Sequence, residues 1–115
     1  MTRRSTRGGS TSPSRQFQIV VRPFAEQDLD EIAAYIAQDS PANAERFILK
    51  ILRAIAKLEM FPHRYPLAPE NVAVDFPIRH VIVKSYRVLF TIQGQVVRIL
   101  RVYHGARLPP KSTDI

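Results

Sequence analysis

The side chains of this chain best equipped for chemistry gather in its last third. Residues 76–113 hold Arg79, Lys84, Arg87, Arg98, Arg101, Arg107 and Lys111 without a single acid, and among them stands His104, followed by Gly105 and Arg107. An imidazole at the end of a strand titrates near neutral pH and can give or take a proton. The same ring can equally hydrogen-bond a backbone carbonyl and hold the strand end in place. Cations distributed this one-sidedly suit an anionic partner, either nucleic acid or an acidic protein segment, and composition does not choose between them.

The acids lie elsewhere. Glu26, Asp28, Asp30 and Glu31 crowd one short stretch that contains no histidine to complete a metal site. They read as a solvated face near the start of a helix, where the dipole favours negative charge. His63, beside Arg64 and Tyr65 in a proline-rich stretch, reads as a surface group. The chain has no cysteine, so neither a disulfide framework nor a thiolate zinc site can be built, and no metal or other cofactor is expected. The net charge of +7 belongs to the two ends: residues 1–16 carry Arg3, Arg4, Arg7 and Arg15 and no acid, whereas residues 17–75 hold six basic and nine acidic residues.

The elements that position these groups are legible from periodicity. At 115 residues and 45% apolar content the chain fits one domain. Residues 1–16 have only Met1 as an apolar side chain and are expected to be a disordered basic tail. The run FQIVV, residues 17–21, reads as a strand stopped by Arg22 and Pro23. Across 24–38, Ala25, Leu29, Ile32, Ala33 and Ile36 follow a helical repeat. Ser40 before Pro41 is a helix start signal. The second helix is expected to run from 41 to about 60, with Ala44, Phe47, Ile48, Ile51, Leu52, Ile55 and Leu58 on one face and Arg46, Lys50, Arg53 and Lys57 opposite.

Residues 61–77 contain four prolines and form an irregular connector. Thereafter 78–84, 86–92 and 95–103 read as an antiparallel meander, with Gln93 and Gly94 as the tight turn before the last strand. The predicted fold is α/β in the α+β sense: an N-terminal strand, a two-helix hairpin and three antiparallel strands, the helices packed on one face of the sheet. The folded domain is expected over 17–108, with 109–115 as a C-terminal tail. No apolar run approaches the ~20 residues needed to cross a bilayer, so a soluble, cytoplasmic protein without membrane association is expected.

Over residues 17 to about 108 the order of elements and several local motifs resemble the RelE/ParE superfamily, the toxins of bacterial type II toxin-antitoxin pairs. The pieces are AEQDLDEIAAYIAQDSPANAERF across the two helix starts, SYRVLFTI in the third strand and VVRILRVYHGAR in the last. The first is similar to the family's recurrent acid-Leu-x-x-Ile-x-x-Tyr-Ile pattern, here Asp28, Leu29, Ile32, Tyr35 and Ile36. The resemblance implies growth inhibition, plasmid stabilization and a cognate acidic antitoxin as partner in a hetero-oligomer.

The superfamily holds two functional classes. RelE-like members cut messenger RNA in the ribosome, whereas ParE-like members are associated with poisoning DNA gyrase and have no established catalytic site. RNA cleavage needs a base for the ribose 2′-hydroxyl, cations for the charge developing on phosphate and an acid for the leaving oxygen. RelE-like toxins use lysines and arginines with a late tyrosine, some relatives using histidine. Here Arg107 matches the arginine that follows the last strand. Ile82, four before Tyr86, stands where RelE-like toxins tend to carry an arginine, and LPPKSTDI after Arg107 supplies no tyrosine. Arg79, seven before Tyr86, resembles the arginine of the ParE-like pattern.

The expectation is therefore a ParE-like toxin that inhibits DNA gyrase by binding. Its candidate target-binding residues are Arg79, Lys84, Arg98, Arg101, His104 and Arg107, and its candidate antitoxin-binding residues are Arg46, Lys50, Arg53 and Lys57. The alternative is a metal-independent, ribosome-dependent mRNA endoribonuclease with Arg79, Arg87, His104 and Arg107 around a phosphate. A third reading is an inactive relative that only binds its antitoxin, or a nucleic-acid-binding module. Structural roles are expected too: Tyr86 packs its ring between helix and sheet, Arg87 pairs with Asp28 or Glu31 of the first helix, and Arg98 and Arg101, three apart, lie on opposite faces of their strand.

Overall fold

The structure is a computed structural model that describes residues 16–70 and 75–105. Residues 1–15 of the expected tail 1–16, Arg107 and the C-terminal segment lie outside the described residues, and Gln16 Nε2 donates to Glu59 Oε1 at 3.2 Å. Strand β1 (Gln18–Val21) leads through an extended Arg22 into helix α1 (Pro23–Ala37), whose first position is taken by the proline that has no N–H to leave unsatisfied. Ser40 caps helix α2 (Pro41–Ala56), its Oγ accepting the Asn43 N–H at 3.2 Å, as the Ser-Pro pair predicts. The α-helix stops four residues before the expected end. Lys57–Glu59 tighten into a 3-10 turn, and Phe61 at φ 53 turns the chain sharply into Pro62.

Strands β2 (Arg79–Val83), β3 (Tyr86–Gln93) and β4 (Val96–His104) form the antiparallel meander. β1 adds to β4 in parallel, giving the order β1-β4-β3-β2. This is the strand, two helices, three strands arrangement that the sequence predicts. The β3–β4 turn falls on Gly94 and Gln95, one residue later than expected, and Gly94 at φ 60 supplies the left-handed conformation the turn needs. Lys84 at φ 57 does the same work in the β2–β3 turn without being a glycine. Gly105 has a different reason: its N–H donates to the Ser85 carbonyl at 2.6 Å, and a Cβ there would sit 3.1 Å from that oxygen.

The main core lies between the helices and the sheet, with Ile32, Ile51, Ile55 and Leu58 packed on Val88, Phe90, Val97, Ile99 and Val102. Burying each such side chain contributes about 1.5–3 kcal/mol. A smaller cluster of Ala68, Ile78, Leu89, Leu100 and Tyr103 covers part of the opposite sheet face beneath the connector.

One expectation about β4 is corrected. Phe90 pairs with Ile99 and Leu89 with Arg101, which leaves Leu100 as an extra residue in a β-bulge. The bulge breaks strict alternation, so Arg98, opposite Thr91, and Arg101, opposite Leu89, share the face turned away from the helices. Period two, applied without a bulge, had put them on opposite faces.

Candidate functional site

β1 accompanies β4 only as far as Ile99. Beyond that point α1 lies against β4, and Asp28, 4% exposed, takes the strand's place: its Oδ2 accepts the Val102 N–H at 2.9 Å. The same carboxylate holds Arg101, with Nε to Oδ2 at 2.8 Å and Nη2 to Oδ1 at 3.0 Å. The guanidinium also lies over two rings, 5.3 Å from the Phe24 centroid and 4.7 Å from that of Tyr103. Arg101 is thus engaged inside the fold.

A second buried pair lies on the far face of the sheet. Arg87 meets Glu70 of the connector in a two-point contact, Nη1 to Oε1 at 2.8 Å and Nη2 to Oε2 at 2.5 Å. His80 Nδ1 stands 3.5 Å from the same Nη1. The hydrogen bonds from Arg87 hold the Glu70 carboxyl below the usual carboxylate range, against the opposing effect of burial. Glu70 in turn raises Arg87, and burial followed by the nearby Arg87 charge lowers His80. The acid expected opposite Arg87 was Asp28 or Glu31. Glu70 takes that place because Arg87 lies on β3, separated from α1's Asp28 by β4, while Asp28 lies at the outer edge of β4 and is claimed by Arg101 and Val102.

Of the four residues that would surround a phosphate, the three described ones, Arg79, Arg87 and His104, do not meet; Arg107 lies outside the described residues. Arg79 pairs with Phe90 on the helix-facing side, and its Nη1 donates to the Tyr65 carbonyl at 2.6 Å. His104 lies on that same side but four residues further along β3, opposite Tyr86 and edge-on to its ring at 5.2 Å. Arg87 is on the opposite face. Tyr86 packs on Phe47 of α2 at 5.3 Å, between helix and sheet as expected. Of the remaining cations, Arg98 Nε bonds Gln93 Oε1 at 2.8 Å near the β3–β4 turn, while Lys84 sits in the turn at the far end of the sheet.

Lys84 instead joins the α2 cations. Arg46, Lys50, Arg53 and Lys57 are all exposed. A groove of about 750 Å³ runs between Ile36, Phe47, Arg46, Lys50, Arg53 and Lys84. A second hollow of about 360 Å³ shares Lys50, Arg53 and Lys84 with it and reaches Lys57 and Ile82. Apolar side chains lie within this basic surface: Leu49 on α2 is 44% exposed, and Ile82 on β2 is 65% exposed. β2 is an edge strand, and among the described residues its first half alone is covered, by the Leu67–Arg79 bridge and the His80 N–H donating to the Pro66 carbonyl at 3.1 Å. Because an antiparallel ladder alternates, Ile82 turns its backbone N–H and C=O outward as His80 does. The edge character of β2 has no signature in the sequence, since it depends on which strands pair.

Comparison with known proteins agrees with this architecture. A strand, a helical pair and a meander closed by a parallel first strand define the RelE/ParE toxin fold. A solved structure described as the chromosomal ParDE toxin-antitoxin system from P. aeruginosa superimposes with a TM-score of 0.64 at 19% identity, covering 78% of this chain and 97% of that one. The archaeal RelE-RelB complex from Pyrococcus horikoshii OT3 gives 0.54 at 13% identity, over 81% and 99% of the two chains. Toxin RelE2 of Caulobacter vibrioides is 33% identical over 91 residues, 79% of this chain and 98% of that protein. Residues 19–109 match the model of the ParE toxin of type II toxin-antitoxin system, parDE. The chain belongs to this ParE toxin family, within the RelE/ParE superfamily. No helix among the described residues is long and apolar enough to cross a membrane.

Proposed function

We propose that this toxin acts in the cytoplasm by binding, in the ParE manner, with DNA gyrase as its target, and that a cognate acidic antitoxin neutralises it. The observation that carries the reading is the separation of Arg79, Arg87 and His104. Two lie on one sheet face at levels four residues apart along β3, and the third lies on the other face, engaged by Glu70. General acid-base cleavage needs its proton donor, its acceptor and its cations around one phosphate. The exposed aliphatic Ile82 within the meander supports the same conclusion.

The antitoxin reading rests on the α2 surface. Arg46, Lys50, Arg53, Lys57 and Lys84 line two hollows, together with apolar Ile36, Phe47, Leu49, Ile82 and Val83, of a size for side chains from an acidic amphipathic segment. Continuing that segment along the open half of β2 would add a short strand beside Ile82.

The test is a supercoiling assay with purified toxin. Loss of gyrase supercoiling, reversed by the antitoxin, is the expected result. Unchanged supercoiling at high molar excess would overturn the gyrase reading. The name of the Caulobacter relative, Toxin RelE2, favours the alternative of a ribosome-dependent endoribonuclease, and mRNA cleavage in a translating extract would establish that instead. Absence of growth arrest on induction without the antitoxin would mark an inactive, antitoxin-binding relative.

A further inference from the structure

Among the described residues, two that are not glycine hold a left-handed backbone, Phe61 at φ 53 and Lys84 at φ 57. A bulky side chain is strained there, whereas glycine or asparagine takes the same turn at little cost. Strain of this kind persists where a side chain serves a purpose other than folding. Lys84 fits that pattern, since it lines both hollows beside α2. Phe61 lines neither.

The Phe61 ring is 61% exposed and Met60 before it is 46% exposed, so burial does not explain either side chain. The backbone around them is fixed: Leu58 and Pro62 are buried, the Phe17 N–H donates to the Glu59 carbonyl at 2.8 Å, and the Phe61 carbonyl accepts the Arg64 N–H at 3.2 Å. An aromatic ring presented on a rigid turn is organised in advance to enter a partner's pocket.

The rim of this turn is basic. Lys57, His63 and Arg64 are exposed, while the Glu59 carboxylate accepts from Gln16 Nε2. Glu59 and His63, on either side of Phe61, both meet Phe17 at the entry to β1, the first through the Phe17 N–H and the second in a ring contact at 5.9 Å. β1 is the sheet edge opposite β2. An antitoxin segment laid along the α2 hollows and the open half of β2 follows the other edge.

We propose that Phe61, with Met60 beside it, is the anchor by which the toxin grips its protein target, entering an apolar pocket with an acidic rim. A ring and a thioether suit such a pocket. The inference rests on the reading of a toxin that acts by binding, and it names the contact that such binding uses.

Phe61→Gly and Phe61→Asn remove the ring but keep a residue that accepts the turn, and Phe61→Tyr keeps the ring. Growth arrest on graded induction, gyrase supercoiling, antitoxin affinity and thermal melting are measured for each full chain. Losing the ring is expected to weaken growth arrest and supercoiling inhibition roughly tenfold or more, while Phe61→Tyr stays within about threefold of the wild type. Melting should remain within about 5 °C, and antitoxin affinity within about threefold. Undiminished growth arrest would overturn the proposal, as would a larger drop in melting temperature, antitoxin binding that weakens with the ring, or mRNA cleavage in a translating extract that disappears with it. A wild type that arrests growth but leaves supercoiling untouched overturns the gyrase reading instead, and growth arrest by the variants then decides the role of Phe61. A wild type without growth arrest overturns both.

Discussion

Asp28 Oδ2 accepts the Val102 N–H at 2.9 Å, just past the level where β1 ends at its Val21–Ile99 pair. A helix side chain thus completes the hydrogen bonding of a strand whose neighbour has run out. That is why the acid at this position is buried while Glu26 and Glu31, on the same helix, are exposed.

Replacing Asp28 with alanine is expected to cost about 3–5 kcal/mol, because it strands the Arg101 charge and leaves the Val102 amide without this acceptor. Asp28→Asn keeps an acceptor for the amide and should cost less. Urea unfolding of the two variants measures the difference, and equal losses would mean that the amide contributes little to the role of Asp28.

The Glu70–Arg87–His80 group makes stability fall in acid. The Glu70 carboxyl is lowered in the folded state, so its contribution is complete above the ordinary carboxylate range and is lost as pH drops through the lowered value. His80 is also lowered, so the unfolded chain takes up its proton first, and stability declines as pH falls below about 6.5, the ordinary histidine value. The two slopes have the same sign and occupy successive windows. Melting temperature against pH should therefore fall in two stages, and His80→Gln should flatten the upper stage alone.

The legible part of this molecule was the part written in local chemistry. Pro23, Ser40-Pro41 and the apolar spacing of both helices specify α1 and α2 because caps and periodicity act over a few residues. Val and Ile content with Gly94 does the same for the meander. What the sequence hides is long-range: the Leu100 bulge that turns Arg101 to the face of Arg98, the choice of Glu70 for Arg87, and the edge position of β2. Glu70 stands alone in an irregular connector, with no period to announce its burial. Lys84 was grouped with target-binding residues on charge, and only the fold brings it beside Lys50 and Arg53.

The α2 surface gives a prediction that separates binding from folding. Lys50→Glu with Arg53→Glu reverses two exposed charges that line both hollows. Stability should change by no more than about 0.5 kcal/mol per site. Antitoxin affinity should drop at least tenfold, and the wild-type affinity should weaken with added salt. Calorimetry with the purified pair checks both, and unchanged affinity would place the antitoxin on another surface.

His104 offers the sharpest separation of binding from catalysis. Its ring stands edge-on to Tyr86 at 5.2 Å at the exposed end of β4, a contact worth about 0.5–1.5 kcal/mol. In a toxin that acts by binding, His104→Ala loses at most one side chain from the target surface, so inhibitory potency should fall less than about tenfold, the equivalent of 1.4 kcal/mol. Removing a general acid or base costs about 10²–10⁴ in rate. Potency in the supercoiling assay and growth arrest on induction, both measured with the folded variant, report which regime applies. A hundredfold loss with intact melting behaviour would move the protein to the catalytic class, because no single aromatic contact at an exposed strand end accounts for it.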